Sequence, residues 1–407
     1  MQQTQETRRF EGRWPGTFRR RALVWATSTL VTLASFALPN LSAAPPPEPL
    51  RVATFDSGFG GYLTAKSIEG TAATLLRDFD ATITIRHYGD TKNLPYGEKT
   101  PAQIATLGSA GVLRAFQQGA DMVFIACNTA STQYQLIRRA VDEAYPGQNK
   151  PVVSIIDAST QEAKRQLDRA LLRQPMATFV ILATPATLRS MVYPRQLARL
   201  YGTAIAEEAP RATTQPRWFK ANGPTIDSLT QKSVLTLPGG RRIDLFQLAP
   251  ANWVELIEHG AEPRAKLEAV RRDLALLVAQ LPKGSVPAVV GYFCTHYPIF
   301  DAAIRAELAA QVQGTRETHF ILQGQLMADI FKGMAEARLQ VRQRQAPIAA
   351  EGLRVLVDAS RANITISGQN GKVTRALAQT MFPNDPAPVV TEEDLGSLEP
   401  AGTPGPR

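Results

Sequence analysis

From Arg51 onward, short apolar runs rich in β-branched residues alternate with longer stretches in which apolar residues recur every three or four positions. The first pattern predicts strands buried on both faces, the second amphipathic helices. Their alternation predicts an α/β fold of mostly parallel sheets flanked by helices. Strands are expected at RVATF (51–55), TITIRHY (82–88), MVFIA (122–126), VVSII (152–156), TFVILA (178–183), AVVGYF (288–293) and HFILQ (319–323). Helical spacing is clearest over 102–116, 160–172 and 263–281. Residues 203–247 break this rhythm with scattered prolines, a GPT and a PGGRR, and read as a largely irregular insertion with room for a hairpin. The tail over 383–407 is rich in Pro, Gly and acidic residues and is expected to be disordered. Two segments share a local plan of apolar strand, then CNT or CTH, then helix, which predicts two similar lobes facing each other.

Residues 1–44 are built differently. Arg19, Arg20 and Arg21 precede an apolar stretch from Ala22 to Leu38, followed by LSAA and a Pro-rich linker over 45–50. That order is the order of a signal peptide, with cleavage expected near Ala43 or Ala44 and export to the periplasm or beyond by the Sec or twin-arginine route. An uncleaved N-terminal anchor is the alternative, although the stretch is short for a spanning helix of about 20 residues. This reading changes the weight of the charge. The 407 residues carry a formal +9, but six arginines against two glutamates in the first 44 supply nearly half of it. The whole chain has 44% hydrophobic and 20% charged residues, and the part after residue 44 shows no basic stripe interleaved with aromatics and no zinc-type cluster. Neither nucleic acid nor metal is therefore an expected partner, and no stable membrane insertion is expected once the signal is removed.

In open α/β sheets, ligands bind beyond the carboxyl ends of the strands. Four polar clusters are predicted there: FDSGFGG (55–61), GDTKNLPYG (89–97), ACNTAS (126–131) and CTHYP (294–298). The glycines of the first invite a dinucleotide reading, but Leu63 stands where a third glycine is required and no acidic residue ends the second strand. The two cysteines, Cys127 and Cys294, admit two readings. One is the structural disulfide usual in an exported chain. The other is a pair of working thiols, since each ends a strand and precedes Asn-Thr or Thr-His at a helix start, where the helix dipole lowers a thiol pKa and a buried carboxylate raises it. His87, His259 and His319 stand apart from these clusters and read as structural or surface residues.

The segments VATFDSGFGG, YGDTKNLPYGEKTP, FIACNTAS, ATPATLRSMVY, VELIEHG and CTHYPIF resemble, in the same order, the motifs of the glutamate racemases within the aspartate/glutamate racemase superfamily. The resemblance spans most of residues 51–340. It implies cofactor-independent inversion of glutamate or aspartate at the α-carbon, with Cys127 and Cys294 on opposite faces of the substrate. By the same resemblance Asp56 assists the first cysteine, and His296 and Glu258 assist the second. Ser57, Pro95, Tyr96, Gly97, Asn128, Thr129, Thr187 and Thr295 would cradle the amino acid. It further implies two lobes with the site in the cleft, one over 51–150 plus 318–382 and the other over 151–317, and a homodimer. Several positions depart from the pattern: Ala249 replaces a cysteine, Tyr292 and Phe293 replace smaller residues, and FILQGQLMA lacks an aspartate-serine pair. The alternatives are an exported carboxylate-binding protein on the same scaffold, and a related isomerase or decarboxylase. Two cysteines favour two-faced proton transfer.

Overall fold

The computed structural model describes residues 48–76, 79, 81–212, 218–220, 223–345, 363–367 and 371–393. The expected signal peptide and residues 394–407 lie outside these. In chain order the strands are β1 (Leu50–Asp56), β2 (Ile83–Gly89), β3 (Met122–Ile125), β4 (Val152–Ser154), β5 (Met176–Ala183), β6 (Ile205–Glu207), β7 (Arg211–Ala212), β8 (Trp218–Lys220), β9 (Gly223–Ile226), β10 (Leu229–Thr236), β11 (Arg242–Ala249), β12 (Pro287–Phe293), β13 (His319–Ile321), β14 (Asn363–Ser367) and β15 (Val390–Glu393). The helices are α1 (Gly61–Leu75), α2 (Pro101–Gln117), α3 (Asn128–Ser131), α4 (Tyr134–Ala144), α5 (Ile155–Leu171), α6 (Pro185–Ser190), α7 (Val192–Tyr201), α8 (Trp253–Glu258), α9 (Pro263–Val278), α10 (Asp301–Gln311), α11 (Gln323–Gln345) and α12 (Gly371–Met381).

Two large sheets result, one per lobe and both flanked by helices as the α/β pattern predicts, and β8 and β9 form a separate two-stranded pair. The first has the order β15-β14-β2-β1-β3-β4 and is parallel throughout. The second has the order β13-β12-β5-β11-β10-β6, parallel across its first four strands and antiparallel from β11 outward. The continuous apolar runs reflect this: six of the seven residues of β1 are buried, as a parallel strand covered on both faces requires. One core cluster, including Phe124, Phe331, Phe179 and Phe293, draws on both lobes. Separate clusters fill the outer faces beneath α2 and α4 on one side and α8 to α10 on the other.

Several boundaries differ from those expected. β4 pairs with β3, so the first sheet runs past residue 150 to Ser154, where the Ser154 hydroxyl caps α5 and ends the strand early. β13 pairs with β12, so the second sheet takes residues expected in the other lobe. The insertion over 203–247 is far from irregular: β10 and β11 form a hairpin, and β11 lies beside β5 inside the second sheet, with seven of its eight residues buried. The tail expected to be disordered from 383 contributes β15, which adds to β14. β14 in turn covers β2. Among the described residues no helix is long and apolar enough to cross a membrane.

β1 sits at the centre of its sheet, flanked by β2 and β3, and β5 is flanked by β12 and β11. The chain leaves each pair of neighbours in different directions. The clefts so formed beyond Asp56 and Ile125 in one lobe, and beyond Ala183 and Phe293 in the other, open toward each other.

Candidate active site

The loops after β1, β2, β3, β5, β11 and β12 meet around one narrow cavity of about 30 Å³, lined by Asp56, Ser57, Pro95, Tyr96, Gly97, Cys127, Asn128, Thr129, Cys294, Thr295 and His296. Both thiols are free and only 4% exposed, so the disulfide reading does not hold. Two expected residues stand behind the wall. Glu258 is buried beneath His296, and Thr187 lies under Thr184.

Each sulfur begins a chain that ends on a carboxylate. On the first lobe, Cys127 caps α3, its sulfur accepting from the Ala130 N–H at 3.4 Å. The thiol donates to Ser57 Oγ at 3.5 Å, and Ser57 donates to Asp56 Oδ1 at 3.2 Å. Ser57 is thus an intermediary between thiol and carboxylate as well as a wall of the cavity. On the second lobe, the Cys294 sulfur lies 3.7 Å from His296 Nδ1, and His296 Nε2 lies 2.6 Å from Glu258 Oε1. Two hydrogen bonds tie these carboxylates to the opposite lobe. Thr295 Oγ1 donates to Asp56 Oδ2 at 2.7 Å, and the Phe59 N–H donates to Glu258 Oε1 at 2.6 Å. Such close approach explains two glycines of FDSGFGG: a Cβ at Gly58 would stand 2.3 Å from Glu258 Oε1, and one at Gly60 would stand 2.5 Å from Thr295 Oγ1.

Burial makes the two halves electrically unlike. Desolvation and the neighbouring Asp56 push the Cys127 thiol up to about 12, outweighing the hydrogen bonds from Ala130 and Ser57. Burial and the carboxylate therefore outweigh the lowering expected from a helix start at this cysteine, and a helix of one turn offers little field. Asp56 is itself raised by burial, against the pull of His296, Thr295 and the Gly58 N–H. At His296 burial disfavours the charged ring, yet the hydrogen bonds to Cys294 and Glu258 prevail and hold it well above its ordinary value. Burial thus favours the thiol form of Cys127, while the Cys294 sulfur stands beside a ring whose charged form is favoured.

The walls are rich in hydroxyls and amides. Thr129 Oγ1 lies 2.7 Å from Thr184 Oγ1, and Thr184 donates to Thr187 at 2.9 Å and caps α6. Thr184 was absent from the sequence reading, although its signal was there: Thr-Pro at 184–185 is a cap followed by proline at the first helical position. Pro250, Ala251, Val254, Glu255, Glu98, Pro185 and Tyr297 also line the cavity without having been singled out. Asn128 is more committed than expected. It exchanges two hydrogen bonds with Gln323, at 2.7 and 3.0 Å, and accepts another from the Tyr193 hydroxyl. His87 is buried, bonded to Thr54 and to the Gly58 carbonyl, as a structural residue would be. His319 is half-exposed and pairs with Glu162. Among the described residues no group of three or more His, Cys, Asp or Glu side chains is placed to hold a metal ion.

The model of the Asp/Glu/Hydantoin racemase family matches residues 63–223. A glutamate racemase of Helicobacter pylori (strain ATCC 700392 / 26695) is 32% identical over 273 residues, covering 67% of this chain and 79% of that protein. One from Paracoccus denitrificans is 28% identical over 268 residues, covering 65% and 78%. In three dimensions the chain resembles the glutamate racemase of Francisella tularensis in complex with D-glutamate, with a TM-score of 0.53 at 17% identity over 85% of this chain and 98% of that one. A glutamate racemase isoform from Bacillus anthracis gives 0.52 at 17% identity, covering 84% and 97%. These likenesses show the two-lobed fold. Together with the ordered motifs and the two-sulfur cavity, they lead to one conclusion: this chain belongs to the glutamate racemase family of amino-acid racemases, and is an isomerase.

Proposed function

We propose that this racemase inverts an acidic amino acid, glutamate or aspartate, by passing protons between the substrate α-carbon and two thiols, and that it does so outside the cytoplasm. The observation that carries the mechanism is the pair of free, buried cysteines on different lobes lining one cavity. Inversion needs one group to remove the α-proton and another to deliver one to the opposite face. In one direction the Cys294 sulfur takes the proton as thiolate: the C–H bond breaks, an S–H bond forms, and His296 and Glu258 hold the sulfur. The electron pair left on carbon is shared with the α-carboxylate. The Cys127 thiol then gives its proton to the other face, and Ser57 and Asp56 accommodate the resulting thiolate. The reverse direction begins with a proton passed from Cys127 through Ser57 toward Asp56.

The carbanion is stabilised by donors already fixed in a closed space. Thr129, Thr184 and Thr295 hydroxyls and the backbone at Tyr96 and Gly97 suit two carboxylates. A cavity of about 30 Å³ holds only about two water molecules. Substrate therefore enters with the lobes apart, and their closure forms the site. Family membership favours inversion over the carboxylate-binding and decarboxylase alternatives. Export rests on the pattern of residues 1–44; an enzyme there would act on free amino acid rather than feed a cytosolic synthesis. The test is to incubate the protein with single enantiomers of glutamate and aspartate in deuterated water. Deuterium entering the α-position as optical rotation decays supports the proposal, and a bound but unexchanged substrate sinks it. Fractionation of the native host tests export separately.

A further inference from the structure

The strand β14 lies beside β2 with Ile366 opposite Gly89, so Ser367 falls next to the start of the loop that carries Tyr96 into the cavity. Ser367 is fully buried and binds three consecutive loop residues. Its hydroxyl donates to Asp90 Oδ1 at 2.5 Å and accepts from the Lys92 N–H at 2.9 Å, while its carbonyl accepts from the Thr91 hydroxyl. Asp90 is the hub of that loop. Its Oδ2 accepts from the Tyr96 hydroxyl at 2.6 Å, and both its oxygens accept from Asn93 Nδ2 at 3.0 Å. Tyr96 is 1% exposed, and burial together with Asp90 keeps its phenol protonated as a donor. A single path therefore runs from the C-terminal strand through one carboxylate to the substrate loop.

The far end of the same unit is also tied down. Glu393, at the end of β15, accepts from Arg114 at 2.9 Å and from Gln118 at 2.7 Å on α2. Gln118 in turn accepts from Tyr88 of β2 at 2.7 Å. The whole unit lies beyond the residues that the family model matches. We propose that Ser367 is a positioning residue for racemisation, and that β14, α12 and β15 form a brace holding Tyr96 and Gly97 at the spacing a substrate carboxylate needs. The proposal rests on the reading of Tyr96 and Gly97 as substrate-binding groups. Contacts made equally by substrate and transition state set KM more than kcat, so slack in this loop acts on KM.

The test is steady-state racemisation of L-glutamate and L-aspartate by the full chain. Ser367→Ala is expected to raise KM about five- to twenty-fold with kcat within about two-fold, and Ser367→Thr, which keeps the hydroxyl, to restore KM to within about two-fold of the parent. Hydrogen exchange over 90–98 should rise in Ser367→Ala while exchange over 122–132 stays as in the parent. An unchanged KM, a Thr variant as impaired as the Ala one, or equal loosening of both peptides overturns the brace. Should Ser367→Ala not fold, Ser367→Cys, a weaker donor of similar size, is read instead: a raised KM supports the proposal and a parental KM overturns it. Racemisation surviving in Cys127→Ser would overturn the site reading itself, a result independent of any Ser367 variant.

Discussion

Thr295, from the loop after β12, donates a 2.7 Å hydrogen bond to Asp56 at the end of β1, so the second lobe supplies a ligand to the carboxylate that serves the first lobe's thiol. The two chains of proton-handling groups are thereby locked to one another. Each carboxylate takes one hydrogen bond from the opposite lobe.

This bond sets a pH effect. Burial raises the Asp56 carboxyl, and the Thr295 hydroxyl is among the groups opposing that rise. Thr295→Val removes the opposition, so the carboxyl is raised further and a smaller fraction is ionised at a given pH. The acidic limb of the kcat/KM profile should move to higher pH, with activity at neutral pH falling about ten-fold, and Thr295→Ser should restore it. A profile that only drops, without moving, would remove Asp56 from the proton path.

In the proposed scheme each cysteine serves one face of the substrate. Cys127→Ser and Cys294→Ser should each lower racemisation by at least about a thousand-fold, because a serine hydroxyl at this depth is a far weaker acid than a thiol. Melting temperatures should stay close to the parent's, since each change is nearly isosteric. Substantial racemisation in either variant would refute the two-thiol scheme.

The His296 and Glu258 pair makes a prediction about stability. Its pKa in the folded chain is raised above that of a free imidazole, about 6.5. The charged pair therefore stabilises the fold fully below about pH 6.5, and the contribution is lost as pH rises through the raised folded value. Glu258→Gln keeps an acceptor for the Phe59 N–H but removes the charge. The gap in melting temperature between parent and Glu258→Gln should be widest at pH 6 and should shrink in alkaline buffer. A gap constant with pH would mean that His296 is neutral.

Gln323 lies in the segment that lacks the aspartate-serine pair, and its amide is shared among Asn128, Ser159 and Tyr193. Gln323→Ala leaves the buried Asn128 amide short of two partners, a loss of about 1–3 kcal/mol on the scale of an unsatisfied buried polar group. Urea denaturation measures it directly. An effect near zero would mean that Asn128 finds new partners, which its position at the start of α3 does not offer.

The strands that end in Cys127 and Cys294 were legible because MVFI and AVVGYF are unbroken apolar runs closed by small polar residues. Parallel strands leave that signature and antiparallel ones do not. β11 was missed for the corresponding reason. RIDLFQLA mixes polar and apolar positions, and its flanking glycines and proline read as a loop, yet its neighbours β5 and β10 bury Asp244 and Gln247 with partners. β14 and β15, NITIS and VTEE, mix polar with apolar positions instead of forming an apolar run, and pair along the edge that β2 offers. Most of the residues that gather around the cavity stand in the quoted motifs. The order Cys127, Ser57, Asp56 was not, since two of those side chains are neighbours in sequence and their hydrogen bonds decide which one meets the sulfur.

The C-terminal strands also govern how this molecule meets its own kind. Stripped of them, the first sheet would end on the seven residues of β2, a long unpaired ladder ready to accept a strand from another chain. With them, the margin becomes the four residues of β15, bearing Glu392 and Glu393, while the second sheet ends on three-residue strands, one of which carries Glu207. Short, acid-bearing borders of this kind discourage a strand from another copy from adding to either sheet.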